Sequence, residues 1–109
     1  MRECLPNRRR AETFEFEAGV PGCAKAHFVA TVGFYADGRV GEAFLHPTKT
    51  GSDRDISVSE SAILLSFLFQ RGEKIESVRS AMPRTTDGQP EGPIGKLLDI
   101  LVEKPKVAT

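Results

Sequence analysis

The sequence predicts an α+β domain in the order βββααα: a three-stranded antiparallel meander packed against one long buried helix and two shorter helices. Three observations carry this. Apolar residues alternate with others in three consecutive stretches between residues 13 and 45. Asp37-Gly38 sits between two of them, the strongest hairpin signal in the chain. After Pro47 the apolar spacing turns helical, in three runs of which the last reaches Leu101. Strands first and helices after argue α+β rather than alternating α/β.

Thr13-Phe14-Glu15-Phe16-Glu17 alternates strictly and reads as the first strand, with both phenylalanines on one face. Gly19, Pro21 and Gly22 break it. Ala26 to Ala36 is the second strand: Phe28, Ala30, Val32 and Phe34 share one face, and Val29, Thr31, Gly33 and Tyr35 share the other. Arg39 to Leu45 returns as the third, ended by Pro47.

A helix is predicted from about Ile56 to Arg71, opened by the capping box Ser57-Val58-Ser59-Glu60, with Ser52 and Asp53 as caps for an earlier start. Its second half is apolar on nearly every side, which predicts burial on more than one face, with Phe67 turned to the sheet. Gly72 suits the C′ position. Ile75, Val78 and Met82 predict a short second helix stopped by Pro83. Gly92-Pro93 opens a third, with Ile94, Leu97, Leu98 and Leu101 in one stripe.

The 109 residues suit a single domain, 12–103, between a basic arm (1–11) and a tail (104–109). Lys plus Arg and Asp plus Glu are both 15, which removes any global pull toward nucleic acid or membranes. No apolar run approaches the ~20 residues of a membrane helix. No apolar segment follows Met1-Arg2-Glu3, so a cytoplasmic domain is expected.

Serine-hydrolase, zincin and P-loop signatures are absent, and no acid–base pair or nucleophile can be named. Cys4, Cys23, His27 and His46 are the soft ligands; they are scattered, and no metal or cofactor is expected. The loop Lys49, Gly51, Ser52 and Asp53 is the candidate anion site, because backbone amides and the dipole meet at a helix start. A capped loop satisfying its own amides is the competing reading. Arg84, Thr85, Thr86 and Asp87 are further donors and acceptors. Arg8, Arg9 and Arg10 are candidate contacts for nucleic acid or a partner, offset by Glu12, Glu15 and Glu17.

Asp37-Gly38-Arg39-Val40-Gly41-Glu42-Ala43-Phe44-Leu45 and Thr48-Lys49-Thr50-Gly51-Ser52-Asp53 resemble a TSCPD domain. Leu5 to Phe14 and Gly92 to Asp99 extend the resemblance to small stand-alone members, over about residues 5–102. Such domains form the C-terminal part of many vitamin B12-dependent (class II) ribonucleotide reductases. The resemblance implies a non-catalytic accessory or binding module, acting through a protein partner or a nucleotide or phosphate-like ligand. The reductase's catalytic cysteines, barrel and cobalamin site lie in other parts of that enzyme. The name-giving Thr-Ser-Cys-Pro-Asp string is absent here, as are the cysteine pairs of longer members. The alternative is a nucleic-acid-binding module using Arg8–Arg10 and the Lys49 loop. A homodimer is expected through the sheet edges or an open apolar sheet face.

Overall fold

The computed structural model describes residues 4–5, 9–18, 26–48 and 53–103. Three strands, β1 (Ala11–Ala18), β2 (Ala26–Phe34) and β3 (Val40–Pro47), form an antiparallel meander in that order. The helices α1 (Asp53–Gln70), α2 (Ile75–Ala81) and α3 (Pro93–Glu103) follow, so the βββααα order of the sequence reading holds.

Phe16 faces Phe28 and Phe14 faces Ala30 across β1 and β2, while Ala30 faces Leu45 and Val32 faces Ala43 across β2 and β3. Alternation puts these side chains on one face. They meet Val58, Ala62, Leu65 and Phe69 of α1 and Leu97, Leu98 and Leu101 of α3 in one core. The Phe16 and Phe28 rings stack with centroids 5.7 Å apart.

The β2–β3 turn closes on Gly38 at φ 92°, a left-handed position suited to glycine. Tyr35 and Arg39 pair beneath it, with the Tyr35 N–H donating to the Arg39 carbonyl at 2.8 Å. A register shift follows: Gly33 faces Glu42 but Phe34 faces Val40, which leaves Gly41 as the extra residue of a bulge. Glycine is required there by packing, since a Cβ would sit 2.5 Å from Leu5 and 2.8 Å from Tyr35.

α1 runs back along the outer edge of β3, and its polar side chains satisfy that edge. Ser59 Oγ donates to the Leu45 carbonyl (3.3 Å). The Ala43 N–H donates to Ser66 Oγ (2.8 Å), and the Ser66 proton is shared between the Ala43 and Ala62 carbonyls, each at 3.0 Å. Gln70 donates to the Gly41 carbonyl at the bulge (3.0 Å). Side-chain groups thus stand where a fourth strand would put its ladder.

Four expectations are corrected. α1 starts at Asp53, because Ser59 bonds the β3 edge and Ser57 lies within the helix, where its carbonyl accepts from Ser61. α1 is not buried all round: Ile56, Ile63, Leu64, Phe67 and Leu68 are exposed, and Phe67 faces away from the sheet. The β3 edge is covered rather than open. The far sheet face is mixed rather than uniformly apolar: Val29 and exposed Phe44 stand among Glu15, His27, Thr31, Glu42 and His46, and Tyr35 is buried beside Leu5.

α1 ends in a Schellman motif. Gly72 has φ 92°, its N–H donates to Phe69, and the Glu73 N–H donates to Leu68. Met82 turns extended before Pro83, which ends α2. Pro93 takes the first position of α3.

Candidate functional site

The β2–β3 hairpin and the C-terminal end of α1 lie at one end of the molecule, because α1 runs antiparallel to β3. A cavity of about 810 Å³ opens between them. Phe34 and Val40 of the sheet, Phe69 of α1, Ile75 of α2 and Leu101 of α3 form its apolar wall. Arg10, Arg39 and Lys74 line it together with Glu12, Glu73 and Glu76. Apolar and charged side chains thus line it in about equal number.

Arg10 is the distinctive residue. Its guanidinium carbon lies 4.3 Å from the centroid of the Phe34 ring. One terminal nitrogen is 4.0 Å from Glu12 Oε2. Its Nε is buried and has no hydrogen-bond partner among the described residues. β-pairing sets this position, since the Arg10 carbonyl accepts from the Phe34 N–H at 2.9 Å. The Arg39 N–H (3.1 Å) and then its guanidinium (2.7 Å) donate to Asp37 and hold that carboxyl below its ordinary range, and the guanidinium lies over Tyr35.

The arginines of the N-terminal run do not form a bare basic strip where they are described. Arg9 bonds Glu42 at 2.5 Å, and Glu42 lies across Gly33, where a Cβ would overlap it. That bond raises the Arg9 pKa further. Arg8 lies outside the described residues, as do Lys49, Gly51 and Ser52 of the expected anion loop. Of that loop, Asp53 is described only as the first residue of α1.

Arg84, Thr85 and Asp87, donors and acceptors that the sequence does not place, bond within their own loop and to α3. Arg84 bonds Asp99 at 2.6 and 3.3 Å and the Gly88 carbonyl at 3.0 Å. Thr85 donates to Asp87 and accepts from the Gln89 N–H. Asp99 also accepts from Arg79 at 2.7 Å, so one carboxylate joins α2, the loop and α3. The hydrogen bonds from Arg84, then Arg79, hold its carboxyl at about 2. The cluster is an internal tie.

Among the described residues, no three of His, Cys, Asp and Glu gather as a metal site. Cys4 is exposed with a free thiol, and Cys23 is outside the described residues. His27 Nδ1 is 3.6 Å from Glu15, while His46 faces Val29 on the same open sheet face. No described helix is long and apolar enough to cross a membrane.

The sequence reading missed the cavity. Its wall comes from five separated elements, so no local motif marks it. The signal that was present is topological: Asp37-Gly38 and Gly72 both reverse the chain, and an antiparallel α1 brings them to one end. No family model, curated protein or solved structure matches this chain.

Proposed function

We propose that this chain is a non-catalytic accessory or binding module of the TSCPD kind, which holds a nucleotide or phosphate-like anion in the hairpin-end cavity. The observation that carries the reading is the buried Arg10 Nε, without a partner among the described residues, beside that cavity and over Phe34. An unsatisfied buried donor costs roughly 1–3 kcal/mol. A ligand oxygen would remove that penalty, and the Arg10 charge would strengthen the bond. The apolar wall suits a base or sugar beside the anionic group. Kinship with the reductase accessory domain, a cytoplasmic setting in nucleotide metabolism or DNA synthesis, and self-association as a homodimer belong to the same reading.

Titration of the purified chain with inorganic phosphate and with nucleoside mono- and diphosphates, followed by amide chemical shifts, tests it. Shifts should cluster on Phe34, Val40 and Lys74, and Arg10→Met should weaken binding at least about tenfold, as for loss of a charged hydrogen bond. No saturable binding at millimolar ligand, or unchanged binding by Arg10→Met, contradicts the anion reading. Turnover in a nucleotide-reduction assay with cobalamin and a dithiol contradicts the non-catalytic one.

A further inference from the structure

The outward face of α1 is apolar from Ile63 to Leu68, with Ile56 a further apolar residue nearer its start. Ile56, Ile63, Leu64, Phe67 and Leu68 are between 41% and 66% exposed. A monomer gains nothing from leaving such a stripe in water, and contiguous apolar patches mark interfaces. At roughly 3.6 residues per turn these residues share a side with exposed Glu60 and Arg71.

Between Glu60 and Arg71 the spacing on that side reads the same in both directions, with Ile56 lying outside this span: Glu60, then Ile63-Leu64, then Phe67-Leu68, then Arg71. A two-fold axis crossing the helix midway between Leu65 and Ser66 therefore brings the stripe onto a second copy of itself, antiparallel. Ile63 meets Leu68 of the other copy, Leu64 meets Phe67, and Glu60 meets Arg71. The apolar centre is flanked at both ends by opposite charges, the self-complementarity an isologous interface requires. Exposed Ser57 and Ser61 border the stripe on one side. A partner of unrelated sequence has no reason to share this palindromic spacing, whereas a second copy shares it by necessity.

We infer that this chain forms a two-fold dimer through antiparallel pairing of the outer faces of α1, closed at each end by Glu60 of one copy against Arg71 of the other. The inference rests on the self-association in the proposed function and not on its cavity. This pairing uses neither the sheet edges nor the open sheet face, the surfaces expected from sequence to associate. The β3 edge is already occupied by Ser59, Ser66 and Gln70 of the same chain.

Sedimentation equilibrium of the full chain and four variants tests the inference. The wild type should show twice its 11.9 kDa mass at micromolar concentration. Leu64→Glu should sediment as a single chain with unchanged far-UV circular dichroism. Glu60→Arg and Arg71→Glu, which each set like charges against one another twice per dimer, should weaken the dimer about tenfold or more. The double reversal, Glu60→Arg with Arg71→Glu, restores both attractions and should recover the wild-type constant. A wild-type mass of one chain up to millimolar concentration overturns the inference and leaves the face to another protein. A dimer that survives Leu64→Glu, or single reversals without effect, overturns it equally. Ligand titration of the Arg10 cavity is a separate readout, so failure of either proposal is told apart from failure of the other.

Discussion

The two sides of α1 have nearly opposite roles for their chemistry. The side toward the sheet mixes apolar Val58, Ala62, Leu65 and Phe69 with polar Ser59, Ser66 and Gln70. The side toward solvent is rich in large apolar residues. The polar side chains face inward because β3 has a free edge: its backbone groups need partners that leucine cannot supply. Polarity of a side chain thus reports what it must bond, and burial follows the location of that partner.

The largest expected break in this comparison is a charge placed on each side in turn. Leu65→Glu puts a carboxylate into a position 3% exposed, at a cost of several kcal/mol, and should abolish the native far-UV circular dichroism. Leu64→Glu, one residue away and 66% exposed, should retain it.

Ser66→Ala sharpens the comparison. It leaves the Ala43 N–H without its partner and should cost roughly 1–3 kcal/mol in urea unfolding, whereas Ser61→Ala on the outer side should fall within about 0.5 kcal/mol. A Gly41→Ala change tests the bulge that Gln70 serves. Its methyl meets Leu5 and Tyr35, and overpacking of this kind costs about 1–3 kcal/mol in thermal or chemical unfolding.

The smallest effect lies away from α1, in the Asp99 tie. Its carboxyl is held at about 2, below the roughly 3.9 of an unfolded aspartate. The stability it adds is therefore present above about pH 4 and is lost as pH falls through about 2. Discounted for partial solvent exposure, it amounts to about 1 kcal/mol. Asp99→Asn should flatten that part of an acid-unfolding curve.

Much of the fold was legible. Alternation at Phe14 and Phe16 and along Phe28 to Phe34, with Asp37-Gly38 between apolar strands, is enough to order the meander. Gly72, Pro83 and Pro93 punctuate the helices through backbone rules that need no tertiary context. The orientation of α1 was not legible. With apolar residues on two sides, periodicity finds no single stripe, and Phe67 looks as fit for the core as Phe69. What decides between them is hydrogen bonding from Ser59, Ser66 and Gln70 to an edge many residues earlier. The site was less legible still. The Lys49 to Ser52 loop lies outside the described residues. Arg10, read as one of three candidate contacts for nucleic acid or a partner, lies over Phe34 because strand pairing begins beside it.

The orientation of α1 underlies both the edge cover and the proposed dimer face, and two phenylalanines two residues apart report it directly. Chemical denaturation of Phe69→Ala and Phe67→Ala, at concentrations dilute enough to exclude association, compares identical truncations on opposite sides. Phe69, 3% exposed, should lose about 3–5 kcal/mol, the range for a buried phenylalanine. Phe67, 41% exposed, should lose about 1 kcal/mol or less. Equal losses, or a larger loss at Phe67, would contradict the account.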